Sequence, residues 1–267
     1  MSAADNNHWN SFYQRWKTLP PPLRPHADVV RAIRSQLPEP SHRVLLLGVT
    51  PELANIAASI VAVDRSEMMI AKVWPGDTPS RHVTRDDWLT MELSPRHFSA
   101  AIGDGSFNAV SFPGGQQRLY QQLTKFIRPG GRIIFRTYLR PERDHTLEAL
   151  VADASQPAKG SFHAFKWRLM MAHANLLGNA NVPVAEIAIL FDQLFPDRTK
   201  LAVASGWLET DIASIDVYRN SSEVYCFPTE AEFRGAVPKE LGGVTLLSVG
   251  NYELAERCPI AVVEIPK

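Results

Sequence analysis

At 267 residues the chain is long enough to bury a full hydrophobic core, either as one large domain or as a domain carrying a substantial insert. Its 28 Lys and Arg balance 28 Asp and Glu, so no net field draws it to nucleic acid or to an acidic membrane surface, and a small-molecule ligand fits better. No window approaches the roughly 20 apolar residues that a bilayer span requires, and residues 1–16 lack the basic start and apolar stretch of a secretory leader, so a cytoplasmic protein is expected.

Trp9, Phe12, Tyr13 and Trp16 recur at helical spacing before Pro20-Pro21-Pro22 halts any helix. Residues 25–37 predict a second helix, with Val29, Val30, Ile33 and Leu37 on one side and Pro38 and Pro40 closing it. The apolar run Val-Leu-Leu-Leu-Gly at 44–48 predicts a first strand, and Ile60-Val61-Ala62-Val63, ending at Asp64, predicts a second. A helix over 66–73 is broken by Trp74-Pro75-Gly76-Asp77. Residues 82–84 predict a short third strand, and 98–102 a fourth that runs into Gly103-Asp104-Gly105-Ser106. A helix over 116–127 stops at Arg128-Pro129-Gly130-Gly131, and 132–138 predict a fifth strand. This alternation predicts an α/β fold, a mostly parallel sheet covered on both faces with right-handed crossovers.

The pattern then changes. Residues 142–155, 161–178 and 183–195 carry helical periodicity with no intervening strand, which reads as a helical insert or cap. Residues 244–249 and 260–265 return to strand character, most economically as a hairpin at the sheet edge. The expected organisation is an N-terminal helical lid at 1–40, an α/β core at 41–140, the insert at 141–200, and a C-terminal part at 201–267 that completes the sheet. Cys226 and Cys258 are too few for a zinc cluster and read as reduced, buried thiols; no His, Cys and Asp grouping has metal-ligand spacing.

A ligand on an open parallel sheet lies over the carboxyl ends of the strands, so the residues just after each strand are the candidates for a site. After the first strand Gly48 admits a close backbone approach, Thr50 suits a helix N-cap and Pro51 a first helical turn, followed by Glu52. After the second, Asp64 is placed to grip a ribose, or to cap the strand end. After the third, Asp86, Asp87 and Trp88 suit an adenine amino group and ring face, or a solvated turn and a core ring. After the fourth, Gly103, Asp104 and Gly105 lie beside the expected reacting atom, or form a simple turn. In the insert, His163, Lys166, Arg168 and His173 sit among aromatic and Met residues, either as the solvated face of an amphipathic helix or as contacts to a polar substrate.

The runs at 44–48 and 61–70, Asp-Asp-Trp at 86–88 and Ile-Arg-Pro-Gly-Gly-Arg-Ile-Ile-Phe-Arg at 127–136 together resemble the class I S-adenosylmethionine-dependent methyltransferases in order and spacing, over roughly residues 40–140. The resemblance implies a Rossmann-like, mostly parallel seven-stranded sheet with helices on both faces and an antiparallel C-terminal edge. It implies S-adenosyl-L-methionine as cofactor, with Asp64 on the ribose hydroxyls, Arg65 and Met69 shaping the adenine pocket, and Asp86 or Asp87 with Trp88 meeting the adenine. It also implies an N-terminal cover in which Tyr13 and Trp16 close the site and Arg24 meets the methionine carboxylate. One departure stands out: Val49, Thr50 and Pro51 occupy the loop where the family carries further glycines, leaving polar contacts there to Thr50 and Glu52. The expected activity is methyl transfer to a small-molecule acceptor, with Asp104 orienting the acceptor or cofactor and His163 as a proton acceptor. The alternative is a non-catalytic binding or partner protein that keeps the sheet; the missing Gly-x-Gly-x-x-Gly argues against a nicotinamide enzyme. No nucleic acid, membrane or metal is expected, and a homodimer stays open.

Overall fold

The computed structural model describes residues 13, 16–40, 43–143, 146–157 and 160–267. Most of the expected aromatic lead helix lies outside them. Tyr13 sits in a turn, and a single 3-10 turn follows at Trp16–Thr18. The helix expected over 25–37 is α1 (Ala27–Ser35), which starts where the His26 side chain accepts the Asp28 N–H.

The apolar runs pair as expected. Strands β1 (Val44–Leu47), β2 (Ile60–Asp64), β3 (Arg81–Arg85), β4 (Phe98–Asp104) and β5 (Ile127–Arg136) form a parallel array in the order β3-β2-β1-β4-β5. The sheet continues through β9 (Ile260–Glu264) to β8 (Thr245–Leu247), both added antiparallel. Seven strands, parallel except at the C-terminal edge, give the mostly parallel sheet that the residue pattern predicted and the Rossmann-like architecture that the resemblance implied. β5 starts earlier than its predicted bounds: Ile127 pairs with Phe98 and Arg132 with Ala100, so the Pro-Gly-Gly stretch loops out as a bulge between them.

The strand period of two divides the core. Leu45, Leu47, Val61, Val63, Ala101, Ile133 and Phe135 pack on one face beneath α3 (Gly114–Phe126). Val44, Leu46, Ile60, Ala62, Ile102 and Ile134 pack on the other beneath α1 and α2 (Glu67–Lys72). Burial on both faces is what a parallel sheet requires of its strands.

Beyond β5 the expected helices form as α4 (Leu147–Ala154), α5 (Phe162–Leu177) and α6 (Val184–Leu194). The reading of this stretch as free of strands needs correction: β6 (Asn181–Pro183) separates α5 from α6 and pairs antiparallel with β7 (Val224–Cys226). Three-residue strands with a distant partner leave no period to detect. Unforeseen helices α7 (Arg198–Ser205), α8 (Glu209–Ile212) and α9 (Glu230–Ala236) follow, the last closed by a Thr229/Glu232 capping box. A second correction concerns α5, which is buried nearly all round from Phe162 to Ala172, His163 and Lys166 included, rather than amphipathic. Its core partners are Phe191, Phe195, Ile215, Tyr225 and Phe227. Among the described residues no helix is long and apolar enough to cross a membrane, and Cys226 and Cys258 are free, buried thiols.

Candidate functional site

A cavity of about 280 Å³ opens along the carboxyl ends of the strands. Neighbouring strands are spaced about 4.8 Å apart, so each lends its following residues to a successive stretch of wall: Asp86, Asp87 and Trp88 after β3, Asp64, Arg65, Ser66 and Met69 at β2, Gly48 to Thr50 after β1, Asp104 to Ser106 after β4, and Tyr138 after β5. Trp16 and Leu23 of the N-terminal segment, with Trp167, Tyr218 and Tyr225 from beyond residue 140, complete it.

Each wall segment is fixed by local chemistry. Gly48 adopts φ +97°, and a Cβ there would point between Asp64 and Trp88, 3.9 Å from each; the vacancy above Gly48 is therefore a cradle that another side chain would fill. Asp64 Oδ1 accepts the Ser66 N–H at 2.8 Å, and burial pushes this carboxyl up to about 6 against the opposing pull of that bond and of Arg65. Ser66 in turn caps α2 by accepting the Met69 N–H, which brings Met69 to the wall. The Trp88 indole is pinned by donating to the Val63 carbonyl at 2.7 Å, so its ring spans the end of β2. Asp86 and Asp87 each use one oxygen in a local turn, accepting from Asp87 N–H and Leu89 N–H. Arg65 reaches out to Glu223 beside β7, at 2.5 and 2.6 Å, tying the end of β2 to the segment that leads into β7.

The β4 end is organised by a residue the sequence reading did not single out. Arg136, fully buried at the end of β5, donates to both oxygens of Asp104 at 2.5 and 3.0 Å, to the Pro22 carbonyl at 2.6 Å and to the Tyr138 hydroxyl at 2.8 Å. Tyr138 also donates to Pro22, so one guanidinium and one phenol anchor the N-terminal segment over the site. Burial raises the Asp104 pKa, opposed chiefly by the Arg136 charge. Gly105, at φ +69°, turns the chain under the Tyr138 ring, 2.9 Å from where a Cβ would sit. Arg24 adds a second anchor: it pairs with Glu52 and donates to the Trp16 and Lys17 carbonyls at 3.2 and 3.3 Å.

Of the candidates read from the sequence, the structure brings Trp16, Gly48, Thr50, Asp64, Arg65, Met69, Asp86, Asp87, Trp88, Asp104 and Gly105 to one cavity. Tyr13, Arg24, Pro51, Glu52, Gly103 and His163 lie off its wall. Tyr13 packs on the core beneath α1. Pro51 opens a 3-10 turn (Pro51–Leu53) for which the Thr50 hydroxyl makes no cap, and Arg24 with Glu52 forms a strap behind it. His163 is buried inside the insert, 3.7 Å from Asp211, so the proposed base has no path to a ligand here. The same rule that selected residues after the first four strands would have selected Tyr138 after the fifth. Trp167, Tyr218 and Tyr225 carry no such signal, because the fold of the insert alone brings them together. On the wall, Ser106 Oγ and Trp167 Nε1 are buried without a hydrogen-bond partner, polar capacity that a ligand can satisfy. Among the described residues no group of three or more His, Cys, Asp or Glu is placed to hold a metal ion.

No protein-family model and no curated protein matches the chain. Solved structures do. The CcbJ methyltransferase of Streptomyces caelestis aligns over 99% of this chain and 100% of its own at 12% identity, with a TM-score of 0.54. A chain from the complex between the Haloferax volcanii Trm112 methyltransferase activator and a candidate methyltransferase aligns over 97% of this chain and 95% of its own, at 10% identity and TM-score 0.54. A Rhodobacter sphaeroides protein described as a candidate zinc-dependent alcohol dehydrogenase covers 100% of both chains at 11% identity and TM-score 0.58. At such identities the likeness concerns the fold alone, a Rossmann-like seven-stranded sheet that this chain shares with these methyltransferase structures.

Proposed function

We propose that this chain is a cytoplasmic S-adenosylmethionine-dependent methyltransferase acting on a small-molecule acceptor. The observation that carries the reading is the Gly48 cradle, walled by the Asp64 carboxylate and the pinned Trp88 ring at the junction of β1 and β2. In this reading the ionised Asp64 accepts both ribose hydroxyls, Trp88 and Met69 cover the adenine faces, and Asp86 accepts from its amino group. Thr50, Gly105 and Ser106 line the path of the methionine chain, and Trp16 and Leu23 exclude water from above. The expected division into a lid at 1–40, a core at 41–140, an insert at 141–200 and a completing segment at 201–267 is part of the same proposal.

Bound S-adenosylmethionine supplies an electrophilic methyl on a positively charged sulfur. The protein's task is then mainly positional, since holding a nucleophile in line within about 3–3.5 Å can contribute on the order of 7–11 kcal/mol. Asp104, clamped on both oxygens by Arg136, is held for orientation and is poorly placed to take a proton. The roof of rings from the insert favours an acceptor small enough to be enclosed.

A second reading is favoured by one observation: the loop after β1 keeps a single glycine and forms only a 3-10 turn at Pro51–Leu53. In that reading the protein binds the cofactor, or a partner, without transfer. Calorimetric titration with S-adenosylmethionine separates the cases. Binding that Asp64→Ala abolishes, with labelled methyl appearing in small molecules of a cell extract, supports the enzyme. Binding without transfer supports the second reading, and the absence of binding overturns the enzyme and leaves only the partner form of the second.

A further inference from the structure

The β5 end of the cavity differs chemically from the rest. Its wall is made of Tyr138, Trp167, Tyr218 and Tyr225, each no more than 7% exposed. Three of these rings form a tier: Tyr138 stacks on Trp167 with centroids 4.4 Å apart and planes 19° apart, and Trp167 lies parallel to Tyr225 within 3° at 5.7 Å. The tier is rigid because each ring comes from a different element, namely the end of β5, α5 and β7, and Tyr138 is further held by Arg136 and Pro22.

The carboxylates of the wall stand on the other side, and the charge that does border this end, Arg65 beside Tyr225, is paired with Glu223. Asp64, Arg65, Asp86 and Asp87 stand at β2 and β3, and the Asp104 carboxylate is neutralised in place by Arg136. Lys166 is near, its Nζ 4.9 Å over the Tyr218 ring, but it does not line the cavity. Asn108, the one amide on this wall among the described residues, spends its NH2 on the Tyr138 and Cys226 carbonyls and its oxygen on the Thr137 hydroxyl and the Tyr138 N–H. Burial holds the Tyr138 and Tyr225 phenols well above their usual range, so they stay neutral. An ionic or polyhydroxylated acceptor would lose its hydration here with little beyond the open Trp167 indole N–H to replace it. A flat π-system would instead meet ring edges and faces in the offset or edge-on arrangements that aromatic pairs prefer.

We infer that this end of the cavity takes a neutral, planar aromatic small molecule as the methyl acceptor, an inference that rests on the methyltransferase reading above. The rings of Tyr138, Trp167, Tyr218 and Tyr225 would thus select the acceptor, while the β1–β4 ends hold the cofactor.

The test is calorimetric, on the full chain saturated with S-adenosylhomocysteine, using naphthol and its saturated counterpart decahydronaphthol as probes. Naphthol is expected to bind about 3- to 10-fold more tightly, the span that an aromatic contact adds beyond apolar burial. Trp167→Leu keeps an apolar side chain, though a smaller one, without the ring and should erase the difference, whereas Trp167→Phe should keep part of it. S-adenosylhomocysteine binding, measured first on each variant, reports that the cavity is folded. Equal affinity for the two probes, a preference that survives Trp167→Leu, or binding of neither probe to the loaded protein would overturn the inference. Failure to bind S-adenosylhomocysteine would strike the methyltransferase reading instead, and the probe comparison on the unloaded protein would still decide the aromatic preference.

Discussion

Asp64 is the residue on which binding and folding should pull in opposite directions. Its carboxyl is largely desolvated at the end of β2, which pushes it up to about 6 against an ordinary value of 3.8. A carboxyl raised in the folded state imposes no penalty below pH 3.8, where it is neutral in folded and unfolded chains alike, and a growing one as pH rises towards 6. Above that the cost levels off at about 3 kcal/mol, from roughly two pK units at 1.36 kcal/mol each. Asp64→Asn keeps the shape and an acceptor for the Ser66 N–H but carries no charge, so the variant should be more stable than the parent. The gain should be about 3 kcal/mol at pH 8 and about half that at pH 5, where the folded carboxylate is mostly protonated. Guanidinium titrations at the two pH values read it directly as a shift in midpoint at constant slope. The same substitution should weaken S-adenosylmethionine binding about 10- to 100-fold, because a hydroxyl bonded to a charged acceptor loses roughly 1.5–3 kcal/mol when the charge goes. A variant no more stable than the parent at pH 8, or equally stabilised at both values, would refute the reasoning.

Three further outcomes follow from the same geometry. In the parent protein, S-adenosylmethionine affinity should fall towards tenfold per pH unit below about 6 as Asp64 is protonated, a dependence that calorimetry should find missing in Asp64→Asn. Arg136→Met should cost about 3–5 kcal/mol in chemical denaturation, since it strands the Asp104 charge in the interior, and adding Asp104→Asn should restore part of the loss. Gly48→Ala, which forces a side chain into a left-handed φ of +97° and a methyl into the cradle, should cost about 1–2 kcal/mol of stability and reduce cofactor affinity beyond what the strain explains.

How far the sequence could be read depended on the range over which each feature is encoded. The strands β1, β2, β4 and β5 are apolar runs bounded by breakers, and the acid closing β2 stands at a position defined by the local chain, so Asp64, Gly48 and Trp88 were legible. Arg136 reads as one more strand residue; only the antiparallel arrival of β9 and the return of Pro22 show that it lies in a closed interior. His163 and Lys166 looked like a solvated face because their period fits one, and the helices that bury them come from residues 184–218, beyond any local window. The ribbon of β6 and β7 joins strands of three residues across the whole of that stretch, so neither its pairing nor the Tyr225 it positions could be anticipated.

The place of β9 between β5 and β8 sets the order in which the molecule can be completed. During synthesis β5 leaves the ribosome with its neighbour β4 already made, yet its other border stays bare, with the backbone groups of residues 132–136 that β9 will pair left unmatched, until the entire insert has been translated. A nascent chain in that state offers a naked, apolar strand border to any other such chain. Helper proteins that shield it should raise the yield of recombinant material, and versions shortened ahead of residue 260 should precipitate rather than fold into a smaller working unit.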